Sequence, residues 1–394
     1  MYRDNKTIIL KHLRKLLCMF LLCWNTLAAS CCSLIDGNSS QYIWQKNIST
    51  SSLIFADIPI TDTGSKLIIG GDNNGKQVLY CLDKATGKNI WQWSDFITQR
   101  ENIFSITTYI YQQNFVFQTS SGTYIIDIET GRTISKKTPQ GDGGQYVTGI
   151  GEVYYYKSGF ATIFQGNLRT GVVNELDIVP KPNGFRFSIQ QPTPFITQNG
   201  DTMLVMITTK VRNDNSAIAQ STLLCYNLTQ RRIVYDSLQQ DVGSVHRCII
   251  ANNKIYLSGN ATIRCHDLTT GRLIWRQEFT AGFLFSGIIV ADGKVFGACE
   301  DTNLYGLDAE TGRILWKHPI AGTTRRPFYM NGVVYISKGK LYAVDAITGE
   351  ILWNRECPEQ AQNSSVYFFG YVTGSEGKIY VQSYKSAYCY KAAR

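Results

Sequence analysis

The residues best suited to chemistry in this 394-residue chain are four histidines and eleven cysteines. His12, His246, His266 and His318 have no common ligand spacing, and no C-x-x-C occurs, so nothing in the pattern converges on one metal ion. His266 stands beside Asp267 in a turn and is expected at the surface rather than as a base. G-x-S-x-G, H-E-x-x-H, G-x-G-x-x-G and the Walker loop are all missing. "GDNNGK" (71–76) has the composition of a hairpin turn and "GDGG" (141–144) that of a loop, rather than a phosphate cradle. No catalytic residue, no metal and no cofactor is expected.

One cysteine does suggest chemistry, though not catalysis. "MYRDNKTIILKHLRKLL" is basic, "LLCMFLLCWNTLAAS" is an apolar run of signal-peptide length, and "LAASC" brings Ala28, Ala29 and Ser30 before Cys31. This pattern resembles a bacterial lipobox, which would make Cys31 the acylated residue. The expectation is a signal peptide over 1–30, a tether over 31–40 and one folded domain over 41–394. Acyl chains on Cys31 would anchor the protein stably to a membrane. Residues 1–30 hold five basic groups and Asp4, so most of the formal charge of +9 that remains is spread thinly over the long mature chain. No basic run stands out, and nucleic-acid binding is not expected.

The seven later cysteines are 81, 225, 248, 265, 299, 357 and 389. Their number is odd, and four of them (81, 225, 265, 389) fall at equivalent places in a recurring phrase. A repeated place means a repeated environment, so these read as small buried hydrophobes rather than as a disulfide framework.

That phrase is what organises the chain. "NLYGLDAETGRILWKHP" (303–319) returns as "KLYAVDAITGEILWNRE" (340–356) and, further upstream, as "VLYCLDKATGKNIWQW" and "IRCHDLTTGRLIWRQ". Asp, Gly and Trp recur as Asp83, Gly87, Trp91; Asp267, Gly271, Trp275; Asp308, Gly312, Trp316; and Asp345, Gly349, Trp353. Asp127 and Gly131 belong to a copy with Ile134 near the tryptophan place. Asn167 and Gly171 mark a weaker copy, and Asn227, Arg231 and Tyr235 the most degenerate one. A spacing near forty residues, built of short alternating strands, predicts a β-propeller with four strands per blade. Asp or Asn can receive the turn's own N–H groups, and Gly four residues later supplies positive φ for a bulged hairpin. The tryptophan is expected to dock on the neighbouring blade.

The chain ends fit together. "QYIWQKN" (41–47) looks like an outer strand bearing Trp44, with no turn before it, while "GKIYVQSYKSAYCYKA" (377–392) lacks an outer strand. Joining them closes an all-β ring of eight four-stranded antiparallel blades and removes two free sheet edges.

The phrase resembles the "ALDAxTGxxxW" repeat of quinoprotein-like (PQQ-type) propellers, over roughly 41–394. Within that class, one eight-bladed ring on a lipid-anchored N-terminus is similar to the BamB-type lipoproteins of outer-membrane assembly. The resemblance implies an exported, monomeric, non-catalytic interaction scaffold. It would be anchored to a bacterial outer membrane on its periplasmic side or surface, or otherwise periplasmic, with protein partners at the envelope. Two alternatives are a glycan- or small-ligand-binding propeller and a divergent quinone-dependent dehydrogenase. Against the last, the dehydrogenases carry an adjacent cysteine pair within the ring, whereas the pair here is Cys31–Cys32, before it.

Strand alternation alone assigns the "TG" turns to one face. The opposite face gathers the blade-to-blade links. There Arg325 and Arg326 with Phe283, Tyr367 and Phe368 are expected to form a basic, aromatic mouth suited to a partner. An insertion at 178–220 holds two further candidate contact segments, Asn213 to Ile218 and Phe185 to Ile189.

Overall fold

A computed structural model describes residues 42–50, 59–98, 107–138, 143–158, 162–179, 183–190, 192–213, 220–239, 248–259, 261–282, 287–320, 326–368 and 370–394. Cys31, Phe283, Arg325 and most of 213–218 lie outside them. The described strands form eight antiparallel sheets. In chain order seven of them span 61–93, 109–137, 143–176, 185–239, 249–278, 289–319 and 328–355, and are blades 1 to 7. Blade 8 takes three strands from 373–391 and its outer strand, Trp44–Asn47, from the start of the described chain.

Blade 6 shows how sequence becomes blade. Lys294–Ala298 and Asn303–Asp308 are nearly all apolar and buried, because they are covered on both faces by neighbouring blades. The outer strand Ile314–Pro319 alternates, with Trp316 turned inward. Eight apolar clusters result, each filling the space between two consecutive blades. Phe296, Leu304 and Trp316 meet Val334, Tyr342 and Val344 between blades 6 and 7. Trp44, Ile48 and Cys389 meet Leu67, Tyr80 and Leu82 between blades 8 and 1. The core is therefore a ring of seams rather than one centre.

The repeated turn is held as its residue types require. In blade 1, Asp83 Oδ1 receives Thr86 N at 2.8 Å and Thr86 Oγ1 at 2.6 Å, and Gly87 N reaches Asp83 O at 2.8 Å. Asp127, Asp267 and Asp308 repeat this set. Hydrogen bonds from the turn lower the pKa of all four carboxyls. Gly87, Gly131, Gly271, Gly312 and Gly349 have φ between 69° and 77°. The ladder slips by one residue beside each of these turns, for example between Cys81 and Leu82, as a bulged hairpin demands.

Four tryptophans each lock their blade to the next. Trp44, Trp91, Trp275 and Trp316 send Nε1 to the carbonyls of Lys84, Ile128, Ala309 and Ala346, at 2.9 to 3.2 Å. Each acceptor directly follows a turn aspartate one blade on. The rings also occupy the space a Cβ would need at the turn glycine, as at Gly87, where it would stand 2.6 Å from Trp44 Cδ2. Trp353 packs on Tyr335 with Arg355 over its ring.

One pair of departures from the repeat is linked. Blade 3 offers no tryptophan, and in the following turn Arg231 takes the glycine place at φ 53°. In blade 4 Tyr235 does the tryptophan's work, donating to Leu268 O at 3.1 Å. In blade 2 the docking place belongs to Ser135, which pairs with Ile125 as Trp91 pairs with Cys81, while Ile134 points to solvent. A second correction concerns His266. It is buried, with Nδ1 at 3.0 Å from Gly271 O, because it takes the third-strand place that Leu82, Ile126, Leu307 and Val344 fill in other blades, covered from both sides, and burial lowers its pKa.

The ring closes at the predicted place. Trp44–Asn47 pairs with Ser386–Lys391, with Trp44 opposite Cys389. The seam is also polar. Ser49 and Thr50 donate to the buried Asp72 carboxylate, and Ile48 O accepts Asp72 N at 2.9 Å. Nearer the turns, the buried Lys84 ammonium lies 3.3 Å from Asp62 and 2.9 Å from Ser375 Oγ. The cysteines at 81, 225, 265 and 389 are buried on third strands, and burial pushes their thiols up to about 11 or 12.

Candidate interaction surfaces

Of the five residues expected at the mouth, the structure describes three and separates them. Phe368 is a core residue: it is fully buried between blades 7 and 8, edge-on to Tyr388 and Tyr390, and its backbone bonds Gly339 in both directions. The apolar seam claimed it because the link into blade 8 must cover the open end of that seam. Tyr367 is partly exposed, and its hydroxyl sits 2.9 Å from that of Tyr384.

Arg326 is partly buried. Its side chain crosses Gly287, where an added Cβ would stand 3.3 Å from Arg326 Cδ. Burial lowers its pKa, partly offset by Tyr371. Tyr371 also acts on Tyr146 of blade 3, whose phenol burial pushes up to about 12. Tyr371, just before blade 8, is thus within electrostatic reach of Arg326 in blade 7 and Tyr146 in blade 3. The sequence did not single out the two tyrosines, because neither belongs to the repeated phrase.

The insertion builds a different surface. It lengthens blade 4. Thr202–Arg212 is one continuous strand of eleven residues, against five in the corresponding strand of blade 6. Its first part pairs with Thr193–Ile196, the ordinary inner strand. Its last part pairs with Phe185–Ile189, register Phe185↔Arg212 to Ile189↔Thr208. Gln220–Asn227 and Arg232–Gln239 continue the sheet. The result is a four-stranded wing extending blade 4 on the side away from the turns. Thr208 and Thr222 share a hydrogen bond of 2.7 Å across it, and Thr209 and Ser221 one of 3.0 Å. Phe185–Ile189 ends the sheet and pairs with no second strand among the described residues. Phe185 and Phe187, both partly exposed, stand opposite Arg212 and Lys210 on one face.

On the turn face a groove of about 610 Å³ opens between blades 4 and 5, lined by Phe195, Ile196, Met203, Val234 and Leu268. Two equivalent clefts are bridged by ion pairs, Lys66–Glu129 and Lys254–Glu310. Here the matching positions are Met203 and Thr269, which can form no such bridge. Among the described residues no group of three or more His, Cys, Asp or Glu could hold a metal ion.

Residues 220–394 match a family model described as outer membrane protein assembly factor BamB. That span begins inside blade 4 and holds the last three intact copies of the repeat; the degenerate turn of blade 3 lies outside it. No curated protein matches. Among solved structures, BamB from Moraxella catarrhalis is similar at 12% identity, with 89% of this chain and 99% of that chain covered and a TM-score of 0.58. A europium-containing methanol dehydrogenase aligns at 11% identity over 86% and 84% of the two chains, with a TM-score of 0.61. Sqt1 from Saccharomyces cerevisiae aligns at 13% identity over 88% and 100%, with a TM-score of 0.62. At such identities these likenesses show the eight-bladed fold alone.

Proposed function

We propose that this protein is a non-catalytic interaction scaffold of the bacterial envelope, and that it serves outer-membrane protein assembly as a BamB-type accessory. The wing of blade 4 carries the reading. It is the largest departure from an otherwise economical ring, and it ends in a strand that pairs with no second strand among the described residues. Unpaired backbone groups at a sheet edge can add a partner strand, and neighbouring side chains then supply selectivity. Phe185 and Phe187 beside Lys210 and Arg212 offer aromatic contact area next to cations, the composition of interface hot spots. The match of residues 220–394 to the assembly-factor family supports the choice of pathway, and the lipobox-like "LAASC" supports an anchored location.

The test is affinity purification from solubilised envelopes with the full chain and with Phe187→Asp. The wild type is expected to recover subunits of the barrel-assembly machinery. Phe187→Asp, on a half-exposed strand, is expected to lose them with its melting temperature nearly unchanged. Recovery of polysaccharide-processing proteins instead, or full recovery by Phe187→Asp, would refute the reading.

A further inference from the structure

The two faces of the ring differ in what they leave in water. Every large exposed hydrophobic residue among those described lies at the turn end of its blade. Ile90, Ile134, Leu273, Ile274, Ile314 and Leu315 stand two or three residues after a turn glycine. Ile347 sits within a turn and is 70% exposed. Scattered surface hydrophobics need no explanation, but segregation to one end of a molecule does. An exposed cation precedes the aliphatic residue in five blades: Lys88, Arg132, Arg232, Arg272 and Arg313. The turn carboxylates between them each have one oxygen, Oδ1, engaged by the turn's own N–H and hydroxyl groups.

The chain enters the ring at the same face. Trp44 is fastened to Lys84 O, a carbonyl of a turn, so Tyr42 and Ile43, both exposed, begin the outer strand of blade 8 at its turn end. Cys31 precedes Tyr42 by eleven residues. Extended chain of that length spans at most about 40 Å. An acyl anchor at Cys31 would keep the point where the chain joins the turn face within that distance of the bilayer.

We infer that the turn face rests on a phospholipid surface. The aliphatic rim sits at the boundary between headgroups and acyl chains, with the neighbouring Lys and Arg at the lipid phosphates. The paired pattern suits this, because a cation beside an aliphatic residue can stay at phosphate depth while its neighbour sinks further. The wing is then directed into the aqueous space, towards a partner. This orientation draws on the anchor assigned to Cys31, and the experiment separates the two.

All seven cysteines of the ring are buried, so an added surface cysteine takes a label selectively when Cys31 is acylated, and a parallel set with Cys31→Ser keeps the labelling selective when it is not. Four full-length variants carrying Cys32→Ser are labelled with bimane: Ile347→Cys and Ile90→Cys on the turn face, Lys76→Cys and Ser120→Cys on the other. Each is placed on vesicles of phosphatidylethanolamine and phosphatidylglycerol containing a lipid with a shallow nitroxide. Quenching at 347 and 90 is expected to exceed that at 76 and 120 several-fold. Equal quenching on the two faces, stronger quenching at 76 and 120, or failure to float with the vesicles overturns the proposal. The mass of the N-terminal peptide reports acylation separately. An acylated chain with unquenched turn-face labels sinks the orientation and leaves the anchor standing. Turn-face quenching without acylation keeps the orientation and removes the anchor.

Discussion

Gly312→Ala separates the two reasons a glycine is needed in the repeated turn. The first is backbone: φ at Gly312 is 74°, and a residue with a Cβ in that region costs about 1–2 kcal/mol. The second is space: the new Cβ would stand 2.6 Å from Trp275 Cδ2, in the rigid centre of an indole held by its bond to Ala309 O. The ring would have to leave its crevice. Full truncation of a buried tryptophan costs about 3–5 kcal/mol, and a partial retreat about 2–3. Gly171→Ala is the control, because φ there is 69° but nothing lies within 4 Å of the added Cβ. The expected losses are about 3–5 kcal/mol for Gly312→Ala and about 1–2 for Gly171→Ala. With Trp275→Ala already present, Gly312→Ala should fall to the backbone cost, a coupling of about 2–3 kcal/mol. Urea unfolding followed by far-ultraviolet circular dichroism measures all four quantities. Equal losses at the two glycines, or no coupling to Trp275, would refute the idea that the indole dictates the glycine.

Three further outcomes follow from the seams and thiols. Asp62→Asn leaves the buried Lys84 ammonium short of its closest carboxylate, and should cost about 1–3 kcal/mol after allowing for the partial exposure of Asp62. Adding Lys84→Met should recover much of that loss in thermal melts. The raised thiols make stability depend on alkali. Cys81 and Cys389 titrate near 12 in the folded ring against 9.0 without burial, so the unfolded chain loses its protons first. Their contribution is whole below about pH 9 and declines as pH rises towards 12; Cys81→Ala with Cys389→Ala should flatten that part of a melting-temperature profile. At pH 8 none of the seven ring thiols should react with a thiol reagent until urea unfolds the protein.

The architecture was legible because each intact copy states its own geometry: an Asx turn, a positive-φ glycine and a docking tryptophan. Closure was legible because Trp44 lacked a turn and the last blade lacked a strand. Functional surfaces were far less so. Phe368 looks like a binding residue in sequence, yet the aromatic residue in a link serves equally to plug a seam. The wing could not be seen as one sheet, because the pairing of Phe185–Ile189 with Thr208–Arg212 is set by a strand that overshoots its blade, which no periodicity announces. Burial of His266 can be read from the repeat, since the place before the turn aspartate holds a buried apolar residue in other copies (Leu82, Ile126, Leu307, Val344). The segregation of exposed aliphatic residues to one face needed the topology before it could be recognised.

The scaffold reading stands or falls on what touches the wing in the living envelope. A photocrosslinking amino acid placed at Phe187, with Ile347 as a control on the opposite face, tests this most directly, adducts being identified by mass spectrometry. The account predicts a discrete adduct at 187 with a periplasmic segment of the barrel-assembly machinery, absent at 347. No adduct at 187, or the same adducts at both positions, would contradict it.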